Sequence, residues 1–101
     1  SPTRAARHGW AIMKGVPGNR INIKNAKYRE DASPLLPESD IKSSNFYSKA
    51  YIHHLIKSKE MLGMQILSQH NVYMMNMLMR DIREAIANDT LDACEKEWRC
   101  L

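Results

Sequence analysis

Histidine and cysteine are the side chains here best suited to nucleophilic, acid–base or metal chemistry, and their spacing assembles no reaction centre. His53 and His54 are adjacent, so on a helix they point to different faces. Cys94 and Cys100 lie six apart near the C-terminus and match no zinc or redox motif. They read as free thiols in a reducing compartment. No Ser/His/Asp or Cys/His pairing is evident, and there is no glycine-rich phosphate loop. The stronger chemical signal is charge. Residues 1–29 carry Arg4, Arg7, Lys14, Arg20, Lys24, Lys27 and Arg29 and no acidic residue, a charge of +7. The remaining 72 residues hold eight basic and eleven acidic side chains, or −3. A segregated positive segment attracts polyanions, nucleic acid first among them. The alternative is a solvated surface that happens to be basic.

The elements that must position these groups are few. At 101 residues, 44% hydrophobic and 26% charged, the chain suits one small globular domain or a piece of a larger one. No apolar run reaches the roughly 18 residues of a membrane span, and nothing at the N-terminus reads as a signal peptide. The expected location is therefore cytoplasmic, with no membrane partner. Residues 1–33 form a basic segment. In it Trp10 to Met13 is a short apolar run, Gly15-Val16-Pro17-Gly18-Asn19 signals a turn, and Arg20 to Lys24 alternates polar and apolar. This predicts a β-hairpin with a five-residue connection. Residues 34–101 form the second part. An irregular loop containing Pro34 and Pro37 runs to residue 45, and Gly63 is the one strong breaker after it.

Over 46–62 the spacing predicts a helix with two apolar patches. Tyr47, Tyr51, His54, Leu55, Met61 and Leu62 share one face; Ile52 and Ile56 make the other. Over 70–88 it predicts a second helix, with Val72, Met74, Met75, Leu78, Met79, Ile82, Ala85 and Ile86 in one stripe and Arg80 and Glu84 as an i,i+4 pair. Its methionines read as core filler. Asn88-Asp89-Thr90 breaks the chain before a short helix from Leu91 to Trp98. The expected class is α+β, mostly helical: an N-terminal β-hairpin followed by two or three helices.

Several stretches, in order along the chain, resemble the tRNA-guanine transglycosylase (queuine tRNA-ribosyltransferase) family. Pro2-Thr3-Arg4-Ala5-Ala6-Arg7-His8-Gly9 is similar to its PTR-x-x-R-x-G segment. Ile21 to Asp31 follows, with Pro34-Leu35 and Pro37-Glu38. Tyr47-Ser48-Lys49-Ala50-Tyr51-Ile52-His53-His54-Leu55, Glu60 to Gly63, Ser68-Gln69-His70-Asn71 and Leu78 to Arg83 complete the match. The resemblance implies the C-terminal portion of a (β/α)8 barrel enzyme. That enzyme exchanges guanine at the tRNA wobble position, in the queuosine pathway, through a nucleophilic aspartate that forms a covalent RNA intermediate. That aspartate falls a few residues before the PTR segment, and this chain begins just past it, so no catalytic residue is expected here.

By the same resemblance Arg4 and Arg7 contact the anticodon loop of tRNA. Guanidinium, always charged and able to bond phosphate or base edges in pairs, suits that task; the alternative is a structural ion pair. Tyr47, Tyr51 and His54 match an aromatic cluster of the family's homodimer interface, which makes the 46–62 helix the expected contact of a homo-oligomer. The alternative is an internal core face.

One departure stands out. The family's structural zinc sits on a C-x-C-x2-C motif and a later histidine, and Ser39, Ile41 and Ser44 occupy the three cysteine positions here. Only His70 is retained. Zinc takes about four donors, preferably thiolate and imidazole, so no metal and no cofactor is expected and the zinc subdomain is degenerate. Three functions compete: a fragment or degenerate member of the transferase that is inactive alone, a non-catalytic RNA-binding module, and a dimerisation piece.

Overall fold

The computed structural model describes residues 1–98; Cys100, read above as a free thiol, lies outside them. Its axis is one long helix. Successive apolar side chains from Leu62 to Ile86, with no proline between, let the chain stay helical over Met61–Ala87 (α4). At 1.5 Å per residue that is about 40 Å, which accounts for most of the 45 Å long dimension of the molecule. The other elements, α1 (Pro2–Arg7), β1 (Trp10–Ile12), β2 (Arg20–Asn22), α2 (Lys42–Asn45), α3 (Lys49–Lys57) and α5 (Leu91–Trp98), are arranged around it. None of the helices is long and apolar enough to cross a membrane.

The hairpin is present, with Trp10 opposite Asn22, Ala11 opposite Ile21 and Ile12 opposite Arg20. Its connection runs from residue 13 to 19 rather than over five residues, because pairing stops at Ile12–Arg20. Gly18 and Asn19 both take positive φ there. The second strand ends at Asn22 instead of Lys24. The Asn22 side chain accepts from the Lys24 amide at 3.0 Å and donates to the His8 carbonyl at 3.2 Å, replacing ladder bonds by a local turn.

Helix α1 is absent from the sequence expectation. Ser1 caps it, its hydroxyl accepting from the Arg4 amide, and Pro2 occupies the first turn.

The helix expected over 46–62 is shorter and divided. Ser48 caps α3, its hydroxyl accepting from the Tyr51 amide at 3.0 Å. The helix ends at Ser58, Lys59 adopts φ 58°, and the Glu60 amide returns to the Leu55 carbonyl at 2.8 Å. Gly63, expected as a breaker, lies inside α4. A Cβ there would sit 2.9 Å from Leu55 Cβ and 3.1 Å from Ile56 Cδ1, so its role is close approach of α3 to α4. The second helix thus begins at Met61, well before residue 70. Helix α5 spans Leu91–Trp98 as expected, after Asp89 at φ 55°.

The core has two parts. Ala6, Ala11, Ile23, Leu35, Ile52, Leu55, Ile56, Ile66 and Leu67 pack between α1, the hairpin, α3 and the first half of α4. Leu55 belongs to this buried side together with Ile52 and Ile56, not to the face of Tyr51. Around the second half of α4 only Met74, Ala85, Cys94 and Trp98 are buried. Of the expected stripe, Val72, Met79 and Ile86 are exposed. Arg80 and Glu84 form no ion pair among the described residues.

Candidate functional site

Two consecutive side chains of α4 hold the basic N-terminal segment. Asn71 is fully buried; its Nδ2 donates to the carbonyls of Pro2 (3.1 Å) and Trp10 (3.0 Å), and its Oδ1 accepts from the Ile12 amide (2.8 Å). His70, also fully buried, donates from Nε2 to the Ile12 carbonyl at 2.8 Å. The outer edge of β1 is therefore satisfied by side chains, where a wider sheet would use a third strand. Because Asn71 bonds both Pro2 and β1, α1 is fixed against α4. That places Arg4 and Arg7, both exposed, in its last turn. Among the described residues neither guanidinium pairs with a carboxylate or stacks on a ring. The ion-pair alternative for these arginines therefore finds no partner among the described residues.

The carbonyl of Ile12 can only accept, so Nε2 of His70 carries the ring proton. Nδ1 is left as acceptor for the Ser44 hydroxyl at 2.8 Å. Burial pushes the His70 pKa down to about 4, opposed by its bond to the Ile12 carbonyl. Around this pair, Ser43 donates to Gln69, Ser39 Oγ accepts from the Ile41 amide at 3.1 Å, and Asn45 Nδ2 donates to the Ser39 carbonyl at 2.7 Å. Ser39 and Ser44 are buried, while Ile41 offers no donor atom. Two neutral hydroxyls, an isoleucine and an imidazole with both nitrogens engaged do not fit a structural zinc ion. Among the described residues no group of three His, Cys, Asp or Glu side chains could hold a metal.

The aromatic residues come together in part. Tyr47 precedes the Ser48 cap and so lies outside α3, yet its ring stacks on Tyr51 with centroids 5.7 Å apart. Phe46 meets Tyr47 edge-on at 5.2 Å. Phe46 and Tyr51 are 66% and 42% exposed, while Tyr47 is partly buried and packs against the core. His54, exposed on the same helix, lines a neighbouring concavity with Lys24 and Lys57. Sequence reasoning missed Asn71 and Ser43 as positioning residues. Asn71 stood in the Gln69-His70-Asn71 stretch, but its partners are 59 to 69 residues away.

A family profile described as queuine tRNA-ribosyltransferase matches residues 1–100. The queuine tRNA-ribosyltransferase of Caulobacter vibrioides is 44% identical over 97 residues, covering 96% of this chain and 25% of that protein. Those of Methylacidiphilum infernorum and Fusobacterium nucleatum are 47% and 48% identical over 88 and 85 residues, each alignment covering 22% of the relative. The chain spans about a quarter of the length of the curated relatives it matches. Matches of this extent bear out the resemblance read from the PTR segment and the stretches that follow it, and this chain belongs to the queuine tRNA-ribosyltransferase family.

Proposed function

We propose that these residues form the tRNA-docking C-terminal part of a base-exchange enzyme of the queuosine pathway and perform no exchange by themselves. One observation carries the reading. Arg4 and Arg7 stand exposed on a helix fixed by the buried Asn71, with no carboxylate of the described chain to neutralise them. Fixed, unpaired guanidiniums suit RNA phosphates and base edges. The resemblance puts the family's nucleophilic aspartate before the PTR segment, so these residues are assigned docking and not the reacting group. The parent architecture is a (β/α)8 barrel, and the place of action is the cytoplasm, where tRNA is.

The test has two readings. Purified chain incorporates no labelled guanine into tRNA. It binds tRNA, and Arg4→Ala and Arg7→Ala each weaken binding and lower its salt slope by about 1. Guanine incorporation, or unchanged affinity in both variants at low salt, overturns the reading.

The same proposal assigns the bonds of His70 to Ser44 and Ile12 the bracing task that zinc performs in the family. Elemental analysis of dialysed protein gives far less than one zinc per chain; a stoichiometric ion sinks this point.

A second reading concerns assembly. The exposed rings of Phe46 and Tyr51, joined through the partly buried Tyr47, support a homodimer through α3, because aromatic rings bring large area to an interface at little entropic cost. Sedimentation equilibrium shows a dimer that Tyr51→Ala weakens. A folded monomer at high micromolar concentration removes this reading.

A further inference from the structure

The seven cations of residues 1–29 are not equivalent in the fold. Lys14 bonds Asp81 at 3.2 Å and Glu97 at 3.0 Å. Arg20 lies over the Trp10 ring at 4.1 Å and Lys27 over Tyr28 at 5.3 Å. Four remain without an acid or a ring among the described residues: Arg4, Arg7, Lys24 and Arg29. The first two are on α1. The other two face α3 across a concavity of about 440 Å³ whose walls also include His53, His54 and Lys57. No acidic residue lines it, and Ala26 and Ala50 leave its interior open. We propose that this concavity is a second phosphate-binding site, which takes a backbone phosphodiester of the same RNA that α1 contacts. It rests on the RNA-docking reading above.

Two further observations shape the site. His53 is buried and donates from Nδ1 to the Ile23 carbonyl at 2.7 Å, so the ring is fixed at the wall and Nε2 is its remaining polar atom. Lys24 is laid in place by Gly9, the last residue of the PTR-x-x-R-x-G segment. A Cβ on Gly9 would lie 2.9 Å from Lys24 Cγ and 3.2 Å from Lys24 Cε. The lysine stem thus runs across the turn that follows α1 and joins the concavity to the side of Arg4 and Arg7. Three cations around one hollow, with no carboxylate, match a polyanion whose charges are regularly spaced. A cation site is excluded by the same charge, and a neutral ligand would leave the cations uncompensated.

The experiment measures binding of a labelled tRNA anticodon stem–loop to the 101-residue chain over a range of salt. Three sets of substitutions are compared: Lys24→Gln with Arg29→Gln and Lys57→Gln in the pocket; Arg80→Gln with Arg83→Gln and Lys96→Gln as a charge-matched control on α4 and α5; and Arg4→Ala with Arg7→Ala. All these positions are exposed, and thermal melts check that the variants fold. The pocket set weakens binding by about 30-fold and lowers the salt slope by roughly 0.7 to 0.9, the value for one lost phosphate contact. The control set shifts affinity by no more than about 3-fold. Equal losses in pocket and control sets mean diffuse attraction and overturn the site. Wild-type affinity in the pocket set with a loss in the α1 set overturns the site and leaves the α1 reading standing; the reverse result overturns the α1 reading alone. A chain that binds no RNA at low salt sinks both.

A second arm identifies the source of the phosphate. Ring resonances of His53 and His54 are followed during titration with the RNA and with inorganic phosphate. Shifts driven by RNA, and removed by the pocket substitutions, support the proposal. Shifts that saturate with inorganic phosphate while RNA leaves the rings unmoved assign the hollow to a free anion and overturn it.

Discussion

The two ends of α4 are built on different principles. Its first half is surrounded by α1, the hairpin, α2 and α3, and meets them through a continuous apolar cluster and through buried side chains that bond distant backbone. Its second half meets chiefly α5, with Ile12, Leu36 and the Lys14 side chain reaching it from the other end. There the few buried residues are joined by one polar junction, in which the Trp98 indole and the Lys14 ammonium share Asp81 Oδ2 at 3.0 and 3.2 Å. Arg4 and Arg7 are held beside the first half; exposed apolar side chains occur along both, Met61 and Val72 in the first and Met79 and Ile86 in the second. Precision of placement and density of buried polar bonds go together here. A surface that must hold arginines at fixed positions is supported by bonds that have a single geometry, whereas the far end tolerates looser packing.

The sharpest way to break the contrast is Asn71→Ala. It strands the Ile12 amide and the carbonyls of Pro2 and Trp10. At about 1 to 3 kcal/mol per buried orphan group, partly relieved by water, the loss is about 4 kcal/mol by urea denaturation. Hydrogen exchange at β1 rises before that in α5; equal effects at both ends would deny the difference.

Acid addresses the same end. His70 is held at about 4 in the fold against an ordinary 6.5. As pH falls, the unfolded chain takes up its proton first, so the associated stability is complete above about pH 6.5 and declines toward pH 4. Between about pH 7.5 and about pH 5 the cost is about 2 kcal/mol, at 1.36 kcal/mol per unit. Asp31, held below its usual range by bonds from Ser33, loses its contribution only at lower pH. His70→Gln flattens the pH profile in this window; an unchanged profile assigns the acid sensitivity elsewhere.

At the other end the effects are smaller. Asp81→Asn weakens the junction shared by Lys14 and Trp98 and costs about 1 kcal/mol, since the carboxylate and the ammonium are both partly exposed. Fraying of α5, seen as increased exchange over Leu91–Trp98, accompanies it; a global loss equal to that of Asn71→Ala would contradict two separate regimes. Smallest of all, Ile86→Ser on the open face changes stability by less than about 0.5 kcal/mol in the monomer.

The same division governs what could be read from the sequence. Helix α5 was legible because Asn88-Asp89-Thr90 punctuates the chain locally, and the hairpin because Gly, Pro and Asn cluster between two apolar runs. Helix α1 was not, since six residues with only Ala6 buried carry no periodicity. The break at 58–60 holds no Gly or Pro; Lys59 enters the left-handed region because packing of α3 on α4 requires it, and Gly63 serves that packing instead of ending a helix. At the site, charge segregation and the PTR segment pointed to Arg4 and Arg7. The bonds of Asn71 and the Ser44–His70 pair were hidden, because hydrogen bonds between residues 26 to 69 apart leave no local pattern.

The outer edge of β1 has a consequence in time. Its partners, His70 and Asn71, are synthesised about 60 residues after Ile12. The hairpin therefore emerges with one edge open, and contacts of such sequence separation form slowly. Until α4 is made, that edge is available to any other extended segment. Helix α1 hangs from the same asparagine, so the arginines reach their final place only once α4 has docked. Until then the basic segment lacks the bonds that fix Arg4 and Arg7 in this fold.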